Sequence, residues 1–262
     1  MIHMTIDYET IEIQKSNSIT TIIFNQPEKM NPVGAILINE LHQVFDQIES
    51  DSETKAVIIT GKGKAFSAGG DLNTRHKTPA DGKRFTRHIG NLVKKMQKIE
   101  IPIITAVNGY CLGGGWNLIM GTDVIIASES AVFSQPFANF GLVPDCGGTF
   151  FLPRLVGPLR AKELIFTQRK VGSKEALELG LVTEVVPPEQ LMQRANEWAD
   201  IFLNSSKTAT GLAKSLINQS FKEDLDSMIE LESTSQILAR QSEEHKEAVR
   251  AFINKKKLKH NS

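Results

Sequence analysis

Apolar positions along the chain follow two rhythms, one of strands and one of helices. Residues 8–14 and Ile19–Phe24 are rich in β-branched and aromatic residues, and polar residues 15–18 separate them, which predicts two strands joined by a turn. A helix is predicted over residues 34–49, because Leu37, Leu41, Val44, Phe45 and Ile48 fall on one face at helical spacing. Residues 56–60 read as a short buried strand running into a glycine-rich loop, 61–71. A charged stretch, 72–83, is expected to be mobile and leads to an amphipathic helix that ends before Pro102. Ile103–Val107 is another predicted strand, and Gly113-Gly114-Gly115 opens a helix through about Met120. Residues 124–127 and 131–134 give two more short strands, followed by a loop over 135–148. Strand, strand and helix thus recur, without clear sequence repetition, as far as Val186. Beyond Pro187-Pro188 the pattern is helical, over about 189–202, Lys207–Gln219, 224–240 and 242–257. The expected architecture is an α/β body, residues 1–186, with an all-helical C-terminal region, residues 187–262.

Composition narrows the function classes. Thirty basic residues balance thirty acidic ones, which argues against a nucleic-acid partner held by bulk positive charge. The two cysteines, Cys111 and Cys146, lack Cys-x-x-Cys spacing and suggest a reducing compartment. No apolar run reaches membrane-spanning length and the first residues lack a signal-peptide core, so a cytoplasmic protein with no membrane partner is expected. The six histidines never fall in His-x-x-x-His or Glu-x-x-His spacing, and no metal site is expected.

Two glycine-rich segments carry candidate chemistry. Lys64-Ala65-Phe66-Ser67-Ala68-Gly69-Gly70-Asp71 follows one strand; Asn108-Gly109-Tyr110-Cys111-Leu112-Gly113-Gly114-Gly115-Trp116-Asn117 follows another and opens a helix. Glycine lets the backbone approach a ligand closely, and a helix N-terminus aims unpaired N–H groups outward. Two such groups converging on one oxygen stabilise negative charge there, each donor accounting for about 3–4 kcal/mol of barrier. Taken singly, these glycines read better as turn and close-packing residues; their combination and context favour the functional reading. Neither segment has the Gly-x-Gly-x-x-Gly or Gly-Lys-Ser/Thr pattern of a nucleotide loop.

Taken together with Gly141-Leu142-x-Pro144-Asp145-x-Gly147-Gly148-Thr149, the segments 66–72 and 106–115 resemble the three hallmark segments of the crotonase (enoyl-CoA hydratase/isomerase) superfamily. The likeness runs from Ile11 to the lysine-rich end. It implies a right-handed spiral of ββα units and a helical C-terminal region that packs homotrimers, often paired into hexamers. It implies that Gly70 and Gly114 form an oxyanion hole, that the Ala68 carbonyl meets the adenine of coenzyme A, and that Lys29 contacts the nucleotide. Phe252 and Lys255, in Ala251-Phe252-x-x-Lys255-Lys256, resemble the family ending that reaches the CoA phosphates, although a solvated basic tail explains the lysines as well. The implied substrate is an acyl-CoA thioester, with no separate cofactor.

The acid–base residue separates the family's activities. Family hydratases carry two glutamates, one just after the glycine triplet and one in a Gln-Pro-Glu segment; Asn117 and Phe137 stand at those positions here. An amide and a phenyl ring do not titrate, so the ordinary hydratase pair is missing. Asp145 matches the base of family enoyl-CoA isomerases, and residues 138–153 look closest to the epoxyphenylacetyl-CoA isomerase branch. One carboxylate suffices for isomerisation, since the proton it removes is the proton it returns. Asp145 must be a stronger base than a free aspartate, and Trp116, Phe137, Phe140 and Leu142 are expected to supply an apolar surround. By spacing alone, Asp145 reads first as the N-cap of the following helix, and only the motif match favours the catalytic reading. Asn117 reads either as a group orienting water or substrate or as a helix-surface amide. Trp116 and Phe137 read as core or as the wall of an acyl tunnel, and Cys146 as small packing. Asp71 is expected to tie its turn, and His76 and His88 to be surface residues. Three functions follow from this reading: an acyl-CoA isomerase using Asp145, a hydratase or other lyase of the same superfamily, and a non-catalytic acyl-CoA-binding protein.

Overall fold

The first hairpin sets the register of everything after it. Asn17 and Ser18 hold φ of 50° and 63°, the left-handed pair that a tight two-residue hairpin turn requires. That turn pairs β1 (Ile11–Ser16) antiparallel with β2 (Ile19–Phe24), Ser16 opposite Ile19. The computed structural model describes residues 7–71, 74 and 77–260, with side chains through 254; His76 and the Lys255 side chain lie outside the described residues.

After the hairpin and α1 (Ala35–Ser50), the chain runs through β3 (Ala56–Gly61), β4 (Ala65–Ser67), α2 (Pro79–Lys98), β5 (Ile103–Val107), β6 (Tyr110–Leu112), α3 (Gly114–Ile119), β7 (Val124–Ser128), β8 (Val132–Ser134) and α4 (Gly148–Thr167). Four successive ββα turns result. They are followed by β9 (Val171–Gly172), α5 (Ser173–Glu178), β10 (Glu184–Val186) and the helices α6 (Leu191–Leu203), α7 (Lys207–Gln219), α8 (Leu225–Gln241) and α9 (Glu243–His260). Among the described residues the strands form two sheets, one in the order β1-β2-β3-β5-β7-β10 and an inner one in the order β4-β6-β8-β9. Stacking the turns of the spiral makes most neighbours parallel, as in β2–β3, β3–β5 and β5–β7. Every residue of β3, β5 and β7 is buried, which is why these strands are continuous apolar runs instead of alternating ones. One face of the larger sheet packs on Leu191, Ala195 and Ala199 of α6. The other face closes the main core with α1, α2 and the inner sheet, around Phe24, Phe45, Phe66, Trp116 and Phe133.

Three expectations need correction. The stretch 72–83 does not end as a loop: α2 begins at Pro79, where the Thr78 side chain accepts from Asp81 N and Asp81 returns a bond to Thr78 N, a capping box that halts fraying. The loop 61–71 contains strand β4, and the segment after Val107 contains β6; both are too short for period-2 alternation to register. Finally, His88 is not a bare surface residue. It stacks on His42 with ring centroids 4.2 Å apart and bonds Asn39 Oδ1 at 2.8 Å. Among the described residues no helix is long and apolar enough to cross a membrane.

Candidate active site

The inner sheet brings the two glycine segments side by side, because β4 and β6 are parallel neighbours and each ends where its glycines begin. On the first segment, Val33 N donates to Gly69 O at 2.7 Å and Asp71 N donates to Val33 O at 3.4 Å. With both flanking residues tied to Val33, the N–H of Gly70 points to the opposite side of the strand. The Ser67 hydroxyl, fully buried, accepts from Gly69 N at 3.1 Å and fixes the bend. On the second segment Gly113 holds φ 49° and ψ −121°, a region closed to residues with a Cβ, and α3 starts immediately after it. Gly114 is the first residue of α3, so its N–H has no acceptor within the helix. A methyl group on Gly114 would lie 3.7 Å from Gly70 N, 3.7 Å from Asp145 Oδ1 and 3.8 Å from Cys146 Sγ. One small volume is therefore bounded by a free amide, a second amide and a carboxylate.

Asp145 arrives there on the loop before α4. Its side chain is not a helix cap; Gly147, at φ 82°, occupies the N-cap of α4 and no side chain caps it. Burial raises the Asp145 carboxyl above its ordinary value, and a bond from the Cys146 thiol, 3.2 Å from Oδ1, pulls it partly back. The thiol is itself pushed up by burial and by the adjacent carboxylate, so it remains protonated and donates. Cys146 takes a positive φ of 49°, a strained setting for a non-glycine residue that turns its side chain toward the same volume. The sequence reading gave Cys146 only a packing role; no periodicity or motif signals a thiol–carboxylate bond. Asn117 is neither a surface amide nor open to water. It is fully buried, its Nδ2 donates to the Asp145 carbonyl at 3.0 Å, and its Oδ1 accepts from Gln135 Nε2 at 2.7 Å. Gln135, also missed in the sequence, is 1% exposed.

A cleft of about 490 Å³ opens beside Gly70 and is lined in part by Lys29, Pro32, Ala68, Gly69 and Asp71. Lys29 is thus brought to the same opening as Ala68 and Gly70. The backbone carbonyl of Asp71 accepts from Thr74 N at 3.0 Å, a main-chain turn bond. Trp116 lies in the core against Phe133, with ring centroids 5.4 Å apart, and does not line this cleft. Phe137 is half-buried with its ring 3.7 Å from where a Cβ on Gly113 would stand. Phe140 and Leu142 are more than half exposed and do not form the apolar surround expected of them; the burial of Asp145 comes from its own loop against the start of α3. Phe252 is exposed on α9, away from the lining of the cleft. Among the described residues no cluster of His, Cys, Asp or Glu is arranged to hold a metal ion.

A family model described as enoyl-CoA hydratase/isomerase matches residues 14–262. The chain belongs to this family. A short-chain-enoyl-CoA hydratase of Clostridium acetobutylicum is 36% identical over 254 residues, covering 96% of this chain and 97% of the relative. A 1,2-epoxyphenylacetyl-CoA isomerase of Escherichia coli is 35% identical over 243 residues, covering 91% of this chain and 93% of the relative. The crystal structure of an enoyl-CoA hydratase from Bacillus anthracis superposes with a TM-score of 0.90 at 33% identity, covering 94% of this chain and 97% of that one. The spiral of ββα units expected from the sequence is thus the fold of the family, and the enzyme is a member of the crotonase superfamily.

Proposed function

We propose that the enzyme is an enoyl-CoA isomerase, of the straight-chain or the epoxyphenylacetyl-CoA type, in which Asp145 moves a proton along the acyl chain. The observation that carries this reading is the position of Asp145 Oδ1 against the same small volume as Gly70 N and Gly114. With a 3-enoyl thioester, the carboxylate takes a proton from C2 and the electron pair moves into the thioester carbonyl. The two N–H groups hold the resulting dienolate oxygen. The carboxylic acid then returns the same proton to C4, and the double bond ends between C2 and C3. Burial of Asp145 favours this step, because it makes the carboxylate a stronger base than an exposed aspartate. Lys29 and Ala68, which line one cleft, are assigned to the nucleotide end of the thioester. Lys255 is assigned to the CoA phosphates, with Phe252 in the same ending, reaching the site of another subunit because Phe252 does not line the cleft of its own chain. Phe137, Phe140 and Trp116 are assigned to the acyl side, Trp116 from behind the wall. Residues 187–262 are proposed as the region through which the chain forms a trimer or hexamer.

Hydration is the second reading, favoured by relatives named as hydratases, those of Clostridium acetobutylicum and Syntrophomonas wolfei among them. Against it stand Asn117 and Phe137 in place of two glutamates, and an Asn117 amide already engaged on both sides. The test offers 3-enoyl-CoA, 2-enoyl-CoA and an aryl-epoxide thioester to the wild type and to Asp145→Asn, with products identified by mass. Double-bond migration leaves the mass unchanged, and the Asp145→Asn variant is expected to lose activity by on the order of 10²-fold or more. Brisk hydration of 2-enoyl-CoA with a silent Asp145→Asn would refute the isomerase. Binding of acyl-CoA with no turnover of any of the three thioesters by the wild type would leave a non-catalytic acyl-CoA binder.

A further inference from the structure

The geometry points to Asn117 as a positioning residue that fixes the Asp145 carboxylate relative to the oxyanion hole without touching substrate, an inference that rests on Asp145 being the base. Asn117 sits one turn into α3, the helix whose first N–H is that of Gly114, and its own N–H donates to Gly113 O at 2.9 Å. Its amide then reaches across to the loop before α4. Nδ2 and Gly148 N both donate to the Asp145 carbonyl, at 3.0 and 2.8 Å, so that oxygen is held from two directions. Behind it, Gln135 Nε2 donates to Asn117 Oδ1 at 2.7 Å and fixes which end of the amide faces Asp145. The opposite orientation would set two carbonyl oxygens against each other. The amide is closed to solvent: Asn117 is fully buried, and Gly148 packs on it so tightly that a Cβ there would stand 2.4 Å from Asn117 Oδ1. A single helical turn therefore carries both the Gly114 donor and the brace on the base. If α3 shifts, amide and carboxylate move together, and their mutual geometry is preserved.

The residues nearest to asparagine in size or chemistry do not do this work in the space available. An ionised aspartate cannot donate to the carbonyl, glutamine is one methylene too long for the contact with Gly148, and serine cannot serve Gln135 and Asp145 together at this reach.

The test compares Asn117→Ala, Gln135→Ala, the double variant and Asp145→Asn in the full chain. The isomerisation of 3-hexenoyl-CoA and the binding of saturated butyryl-CoA, which has no double bond to move, are measured for each. Asn117→Ala is expected to lower kcat on the order of 100-fold, as a misplaced catalytic group does, while the affinity for butyryl-CoA stays at the wild-type value. Gln135→Ala is expected to lower kcat less, about tenfold, and the double variant to be no slower than Asn117→Ala, since both act on one chain of bonds. The acid limb of the pH profile should also move in Asn117→Ala, which a merely structural loss would not cause. A raised KM with unchanged kcat would make Asn117 a substrate contact and overturn the inference. Should Asn117→Ala fail to fold, Gln135→Ala carries the question, and wild-type kcat there overturns it. Wild-type kcat in both variants, with Asp145→Asn inactive, removes the brace alone; an active Asp145→Asn removes the base itself.

Discussion

Asp145 is held between two opposing influences, and the sign of each gives a measurable consequence. Burial raises its carboxyl above the ordinary value of 3.8, while the Cys146 thiol favours the ionised form. A base works only when ionised, so activity should fall as pH drops through the carboxyl's raised value, higher than for an exposed aspartate. Removing the thiol donor leaves only the carboxyl's own backbone N–H to oppose burial. Cys146→Ala is therefore expected to shift the acid limb of kcat/KM to higher pH, and Cys146→Ser, which keeps a donor, to leave it close to the wild type. An unmoved or lowered limb in the alanine variant would show that the thiol does not tune the carboxyl. At this scale the sequence identified Asp145 through its motif, but not its partner Cys146. A thiol one residue away either meets the carboxylate or turns from it, and the positive φ of Cys146 decides which.

At the scale of elements, α7 is anchored by an ion pair with a buried lysine that no helical pattern foretells. Lys214, its side chain 6% exposed, donates to Asp123 Oδ2 at 2.7 Å and to the Ile101 carbonyl at 3.0 Å. Burial pushes the Lys214 ammonium down and the Asp123 carboxyl up, and each partner offsets the shift of the other. Asn218 Nδ2 adds a bond to Gln97 O at 2.9 Å, so α7 clamps the connection between α2 and β5. Lys214→Met would take the ion partner from a part-exposed Asp123, which keeps the bond from Ile103 N at 2.7 Å, and would leave the Ile101 carbonyl without its donor. It is expected to cost about 1–3 kcal/mol in denaturant unfolding. Adding Asp123→Leu should not recover that loss, since Ile103 N then loses its acceptor as well. A single variant as stable as the wild type would mean that α7 is held by its apolar contacts alone. A lysine in a helix reads as a solvated residue from sequence; only the approach of a strand end from 91 residues away buries it.

For the whole molecule, the apolar side chains left in water are the informative feature. Ile217 on α7, Ile229, Ile237 and Leu238 on α8, and Val249, Phe252 and Ile253 on α9 are all exposed. On α8 Met228 is the buried residue recorded, so most of its apolar surface faces away from its own chain. Exposed surface of this kind marks association sites, which supports assembly through residues 187–262. Light scattering is expected to give a trimer or a multiple of it. Substituting Ile237 and Leu238 together by Glu should shift the mass toward the monomer, and a monomeric wild type would remove the proposal.

The sequence by itself determined what depends on local pattern: the ββα rhythm, the bounds of α7, the apolar face of α1, the helices past Pro187 and the two glycine segments that meet beside Asp145. These signals are carried by residues within a turn or two of each other, where periodicity and φ preference act directly. Tertiary structure alone decided the rest. Strands β4 and β6 exist because spiral neighbours supply their hydrogen bonds, and three residues are too few to show a period. Asn117 became a buried brace instead of a surface amide because Gln135, 18 residues on, and Asp145, 28 residues on, converge on its two ends. A side chain's role in such a site is set by what long-range folding places against it, and spacing along the chain does not encode that.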